Sequence, residues 1–187
     1  MKSLSIGEVE LNTNSLVSML SNVIPIGINS YNVVFFCIGS DRSTGDSLGP
    51  LVGSFLKDKG YSNVMGTLDE PIHAQNLEDK INEIPKNKKV IVIDASLGMN
   101  KDIGKIFVNS GGLEPGIGVG KNLTVIGDYS IKGIVNVRGP LVQHVLQSTR
   151  LSLVIKIAEE IAQGLEYRFP LADKNKLYIN NRVKLTI

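Results

Sequence analysis

One cysteine, two histidines and a formal net charge of +2 in 187 residues rule out several kinds of protein at the start. With Cys37 alone no internal disulfide can form, which fits a reducing compartment. The small net charge, and a longest basic block of only Lys86-Asn87-Lys88-Lys89, argue against nucleic acid as a partner. No apolar run approaches the ~18–20 residues of a membrane span. Glu8, Glu10 and several asparagines interrupt the N-terminal stretch where a secretory leader would need a compact apolar core. The expectation is a cytoplasmic protein. Its apolar share of 42% is enough for one substantial core.

What is present is a succession of buried-strand and amphipathic-helix patterns. Val33-Val34-Phe35-Phe36-Cys37-Ile38 and Lys89-Val90-Ile91-Val92-Ile93 are continuous rather than alternating apolar runs, the mark of strands covered on both faces of a parallel sheet. After the first run, Leu48, Leu51, Val52, Phe55 and Leu56 recur at helical spacing, with Pro50 tolerable in the first turn. Further strands are expected at Asn63–Gly66, Lys105–Asn109, Leu123–Ile126 and Ile134–Val137, a short helix at Asn76–Ile84, and one long helix from Gly139 to Gly164. The tail, Leu177–Leu185, suits an edge strand. Strands alternating with helices predict α/β: a three-layer α/β/α sandwich with a mostly parallel sheet. The expected organisation is a single domain over 1–187, with an N-terminal helical arm over 1–32, an α/β core over 33–165 and a C-terminal extension over 166–187.

In such folds ligands gather beyond the carboxyl ends of the strands, and both Asp46 and Asp94 follow buried strands. Taken singly, Asp46 could equally cap the helix after it, and Asp94 could be a loop carboxylate. Taken together, they are two carboxylates at strand ends ~5 Å apart. A close, dry pair splits into an acid and a base, whereas an open pair binds a divalent metal and needs a third ligand. His144 is the candidate third ligand, on the helical arc of Leu151, Ile155 and Ala162; the bland alternative is a core-edge histidine. His73, in Glu70-Pro71-Ile72-His73, either faces the same site or is a solvated loop residue. Asp41 and Arg42 precede Asp46 and either orient a substrate or pair with each other. Ser43, Thr44 and Ser96 lack the Gly-x-Ser-x-Gly elbow of a serine nucleophile. Gly116-Ile117-Gly118-Val119-Gly120-Lys121 imitates a phosphate loop, but Pro115 occupies the first glycine's place and Asn122 that of the Ser/Thr. It reads as a loop, or a lid over the site. Cys37 reads as inert packing.

The segments Cys37-Ile38-Gly39-Ser40-Asp41-Arg42-Ser43-Thr44-Gly45-Asp46-Ser47-Leu48-Gly49-Pro50-Leu51-Val52-Gly53 and Gly66-Thr67-Leu68-Asp69-Glu70-Pro71-Ile72-His73-Ala74 closely resemble the YyaC-type sporulation proteins of spore-forming Firmicutes, over about residues 30–165. More distantly, they look like spore germination protease and the hydrogenase-maturation endopeptidases. The resemblance implies a phosphorylase/hydrolase-like sandwich with catalytic acids at Asp46 and Asp94. It implies substrate-binding positions around Gly39, Asp41, Arg42, Glu70 and His73, and a protein or peptide substrate. Arg42 and backbone N–H groups near Gly39 or Gly45 would steady an oxyanion. The hydrogenase-maturation relatives imply a metal variant on Asp46, Asp94 and His144, although His144 only approximates the family's histidine. The setting implied is sporulation or germination, in the forespore or spore. A non-enzymatic spore-assembly role stays open at this point, as do a metal-binding module and homo-oligomerisation.

Overall fold

The computed structural model describes residues 5–9, 13–114 and 125–171. The strands are β1 (Ser5–Val9), β2 (Val33–Cys37), β3 (Val64–Met65), β4 (Lys89–Gly98), β5 (Ile106–Ser110) and β6 (Tyr129–Val137). The helices are α1 (Thr13–Val23), α2 (Leu48–Asp58), α3 (Leu77–Asn82), α4 (Val142–Gln147) and α5 (Leu151–Arg168). The strands form one sheet in the order β1-β5-β6-β4-β2-β3. Its centre, β6-β4-β2-β3, is parallel, while β5 runs antiparallel to both β6 and β1. The α/β class and the mostly parallel sheet are as expected from the sequence.

The two faces of the sheet are unequally covered. On one, Val33, Phe35, Cys37, Ile91, Ile93, Ile131 and Val135 meet buried residues of α1, α2 and α5 in the main core. Phe35 anchors it, stacking edge-on against Tyr61 and Phe169 with centroids 5.6 Å from each. On the other face, Phe36, Ile38, Val90 and Val92 pack under Ile72, Leu77, Leu113 and Ile126. Among the described residues the second helical layer is only the six-residue α3 with its flanking segments.

Several elements differ from their sequence-based outlines. The N-terminal stretch holds a strand, β1, as well as the helix α1, whose Leu16 and Leu20 are fully buried in the main core. β4 runs on past Ile93 to Gly98 and β6 begins at Tyr129, because the two pair side by side from Ile91↔Tyr129 to Gly98↔Val137, with an irregularity after Ser96. The long helix over Gly139–Gly164 is two helices. Asn136 of β6 and the Thr149 hydroxyl both donate to the Val145 carbonyl, at 3.2 and 2.8 Å, and Arg150 turns to extended backbone before α5 starts. Side chains that take a helix's last carbonyls offer the backbone an alternative to continuing. The Gly116–Lys121 loop, part of the Leu123–Ile126 strand and the Leu177–Leu185 strand lie outside the described residues; within them, Ile126 makes an isolated bridge with Leu113.

Candidate functional site

The chain leaves β2 toward β3 on one side, whereas β4 leads to β5 and β6 on the other, so the topology switches between β2 and β4. A crevice opens at such a point because the two crossovers depart in opposite directions. Here the opening is a step: β2 pairs with β4 only as far as Cys37↔Ile93, while β4 continues beside β6. Asp94 is the first β4 residue past that step.

Asp46 is carried over the same step by glycine-dependent packing. Gly39 sits at φ +143°, and a Cβ there would lie 2.0 Å from the Asp46 carbonyl oxygen. With no side chain at Gly39, the Ser40 N–H reaches that carbonyl at 3.1 Å and folds the 40–46 loop back. Gly49 lets α2 close on the Ile38 carbonyl, where a Cβ would meet the oxygen at 2.1 Å. Asp46 lies within a 3-10 turn (Gly45–Ser47) ahead of α2. It does not cap α2: the cap position is Ser47, which makes no side-chain cap bond. The Ser40 N–H that bonds the Asp46 carbonyl also favours the charged form of the Asp46 carboxylate.

The two carboxyls act on each other. Asp94 is half-buried, and desolvation by its protein surroundings together with the nearby Asp46 charge raises its carboxyl to about 7, against opposing pulls from the Ala95 N–H and Lys132. Burial also raises Asp46, opposed by the Ser40 N–H and by His73. Both carboxyls are thus raised by desolvation, and Asp94 additionally by the charge of Asp46.

His73 arrives through a bridge that extends the sheet, Ile38↔Ile72. It is half-buried; its N–H donates to Asn76 Oδ1 at 2.9 Å, and Nδ1 accepts the Gln75 N–H at 3.3 Å. Of the remaining substrate-binding candidates, Asp41, Arg42 and Glu70 are exposed. The Arg42 N–H bonds Ser40 Oγ at 3.2 Å and the Glu70 N–H bonds Thr67 Oγ1 at 3.1 Å, so both residues contribute backbone to the shape of their loops. Gly39 is not an oxyanion donor, because its N–H is spent on the Ile72 carbonyl at 2.8 Å. Ser43 Oγ is buried without a hydrogen-bond partner, three residues from Asp46.

His144 does not join the pair. It is exposed on α4, and the break before α5 removes the phase relation that would have aligned it with Leu151 and Ile155. Among the described residues no three His, Cys, Asp or Glu side chains gather as a metal-ligand set, so an Asp46–Asp94–His144 centre is not formed.

Sequence reasoning missed Lys132. It is the direct β6 partner of Asp94 in the parallel register, on the same face of the sheet. Its signal was the Tyr129–Gly133 run, where apolar and polar residues alternate as in a half-open strand. Beyond it a groove of about 490 Å³ follows the second face. Another hollow, about 310 Å³, is lined by Ile84, Pro85, Lys86, Lys88 and Gly127 near the start of β4, away from the aspartates.

Comparison with known proteins adds the following. The model of the family described as "Protein of unknown function (DUF1256)" matches residues 7–164. "Uncharacterized protein YyaC" of Bacillus subtilis (strain 168) is 51% identical over 138 residues, which cover 71% of this chain and 67% of that protein. Among solved structures, the [NiFe] hydrogenase maturation protease HycI from Thermococcus kodakarensis KOD1 superposes with a TM-score of 0.49 at 18% identity, over 79% of this chain and 99% of that one. HybD, the [NiFe] hydrogenase maturation protease from Thermococcus kodakarensis, gives 0.45 at 16% identity, over 72% and 98%.

Proposed function

This chain belongs to the DUF1256 family, and from that premise we propose that it is a peptidase-like hydrolase whose reacting groups are Asp46 and Asp94. The observation that carries the reading is the pairing at the step between β2 and β4: Asp94 follows the last β2–β4 register pair, and desolvation together with the nearby Asp46 charge raises its carboxyl to about 7. Asp46, ionised, takes a proton from a water molecule. The resulting hydroxide adds to the carbonyl carbon of a peptide bond, and Asp94 passes its proton to the departing amine nitrogen. The next turnover needs the proton back on Asp94, and Asp46 beside it is the donor. His73 steadies the Asp46 charge, while Lys132 limits how far the Asp94 carboxyl rises. The setting is sporulation or germination, as the resemblance of the 37–53 and 66–74 segments implies.

The test is cleavage of a mixed peptide pool by the intact protein, read by mass spectrometry. General acid–base groups contribute about 10²–10⁴-fold, so Asp46→Asn and Asp94→Asn should each lower the rate at least about a hundredfold. Loss of the Asp94 proton should make the rate fall as pH rises past about 7. Cleavage that both variants retain, or spores indifferent to both, would sink the reading and leave the assembly role standing.

A further inference from the structure

The hydrolase reading leaves the groove beyond Asp94 without a task, and its lining indicates what it takes. Strand alternation puts Asp94 and Ser96 of β4, Lys132 and Ile134 of β6, and Phe107 and Asn109 of β5 on the same face, in register Asp94↔Lys132↔Phe107. Ser96, Phe107, Asn109, Lys132, Ile134 and Arg138 all line the groove of about 490 Å³. Its floor is apolar, with Ile134 only 6% exposed and Phe107 half-buried. Its charge is positive. Lys132 stands at the end nearest Asp94, and Arg138 reaches the Leu97 carbonyl at 3.5 Å, leaving most of its five donors for a ligand. Asp102 is the one acid in the lining, and it is neutralised by Lys105 at 3.1 Å.

Resting on the hydrolase reading, we propose that this groove is the specificity subsite of the enzyme and takes an extended peptide segment carrying an acidic residue within two positions of the bond cleaved. An extended peptide returns a side chain to the same side every two residues, about 6.6 Å. That is also the step from Asp94 to Ser96 along β4 and from Lys132 to Ile134 along β6. A peptide whose scissile bond lies at Asp94 therefore sets its next same-side chain over the groove. There Lys132 and Arg138 meet a carboxylate, and Phe107 and Ile134 receive an apolar neighbour. An arginine fork binds a carboxylate through paired N–H donors, which a glutamine amide cannot match.

The test uses the full chain as Asp46→Asn, which keeps Asp94 and Lys132, and measures fluorescence anisotropy of labelled ten-residue peptides differing only at their centre: Glu-Ile-Glu, Gln-Ile-Gln and Lys-Ile-Lys. The Glu probe should bind about fivefold or more tighter than the Gln probe at low salt, with the gap closing as salt is raised. Adding Arg138→Glu should reverse the order in favour of the Lys probe, and adding Lys132→Gln should narrow the Glu preference. Equal affinities for Glu and Gln probes overturn the proposal, as does undetectable binding of every probe or a preference unmoved by Arg138→Glu. Cleavage by the unmodified protein separates the two readings. Acidic selectivity without cleavage refutes the hydrolase alone, and cleavage without acidic selectivity refutes the subsite alone.

Discussion

Replacing Asp94 by asparagine should stabilise the protein above neutral pH, and the size of the gain follows from the site. In the unfolded chain an aspartate titrates near 3.8; in the folded protein burial and the Asp46 charge lift Asp94 to about 7. Between those values the folded state holds a proton that the unfolded state has released, so stability falls as pH rises. The fall begins near pH 4 and is complete just above pH 7. At about 1.4 kcal/mol per pH unit, the gap amounts to about 4 kcal/mol. Part of it belongs to the pair rather than to Asp94, because two close carboxylates release their protons in coupled steps. Asparagine nearly matches the shape of the protonated side chain and carries no charge to strand. Urea unfolding of both proteins at half-unit steps from pH 4.5 to 8.5 should show the difference, Asp94→Asn minus wild type, growing by about 3 kcal/mol toward pH 8, the first ~1 kcal/mol of the gap lying below that range. Parallel curves across that range would refute the claim that the Asp94 carboxyl is dry and crowded by a second charge.

Two further outcomes follow from the same geometry. Asp46→Asn removes the like charge but not the burial, so Asp94, followed by carboxyl-carbon NMR, should titrate below 7 yet still above 3.8; an unmoved Asp94 means the two do not interact. Gly39→Ala forces a Cβ to 2.0 Å from the Asp46 carbonyl at φ +143°, and should cost about 1–3 kcal/mol or more on urea unfolding. Gly111→Ala is its control, with nothing within 4 Å at φ +99°, and should cost only about 1–2 kcal/mol of backbone strain.

The parts of this fold legible in the sequence are those dictated by burial of a whole segment. Val33–Ile38 and Lys89–Ile93 are apolar at nearly every position because both faces of the sheet are covered there, and no partner need be known to see it. The α2 stripe was legible for the same reason, and with it the stretch between β2 and α2 that holds Asp46. What escaped depends on pairing. β4 beyond Ile93 and β6 before Ile134 lose one covering layer, so their apolar runs dissolve into alternation just where they line the site. The split between α4 and α5 is marked locally only by Thr149; its other determinant, Asn136, lies on β6 and leaves no sign in the helical stretch itself.

That pattern explains why one carboxylate pair was visible and its cation was not. Asp46 and Asp94 each follow a strand that announces itself, so their approach needs only that the two strands be neighbours. Lys132 lies inside a strand whose outer face is open, and it meets Asp94 only through the β4–β6 register. A shift of that register by one residue would bring Ile131 or Gly133 opposite Asp94 and turn the lysine away from the groove. The irregularity after Ser96 lies beyond the Asp94–Lys132 pair, so the strands can bend toward Asn136 and α4 without disturbing the charges at the step. The site is thus fixed on one side by glycine contacts under Asp46 and on the other by strand register at Asp94, and the proximity of the two carboxyls depends on both holding.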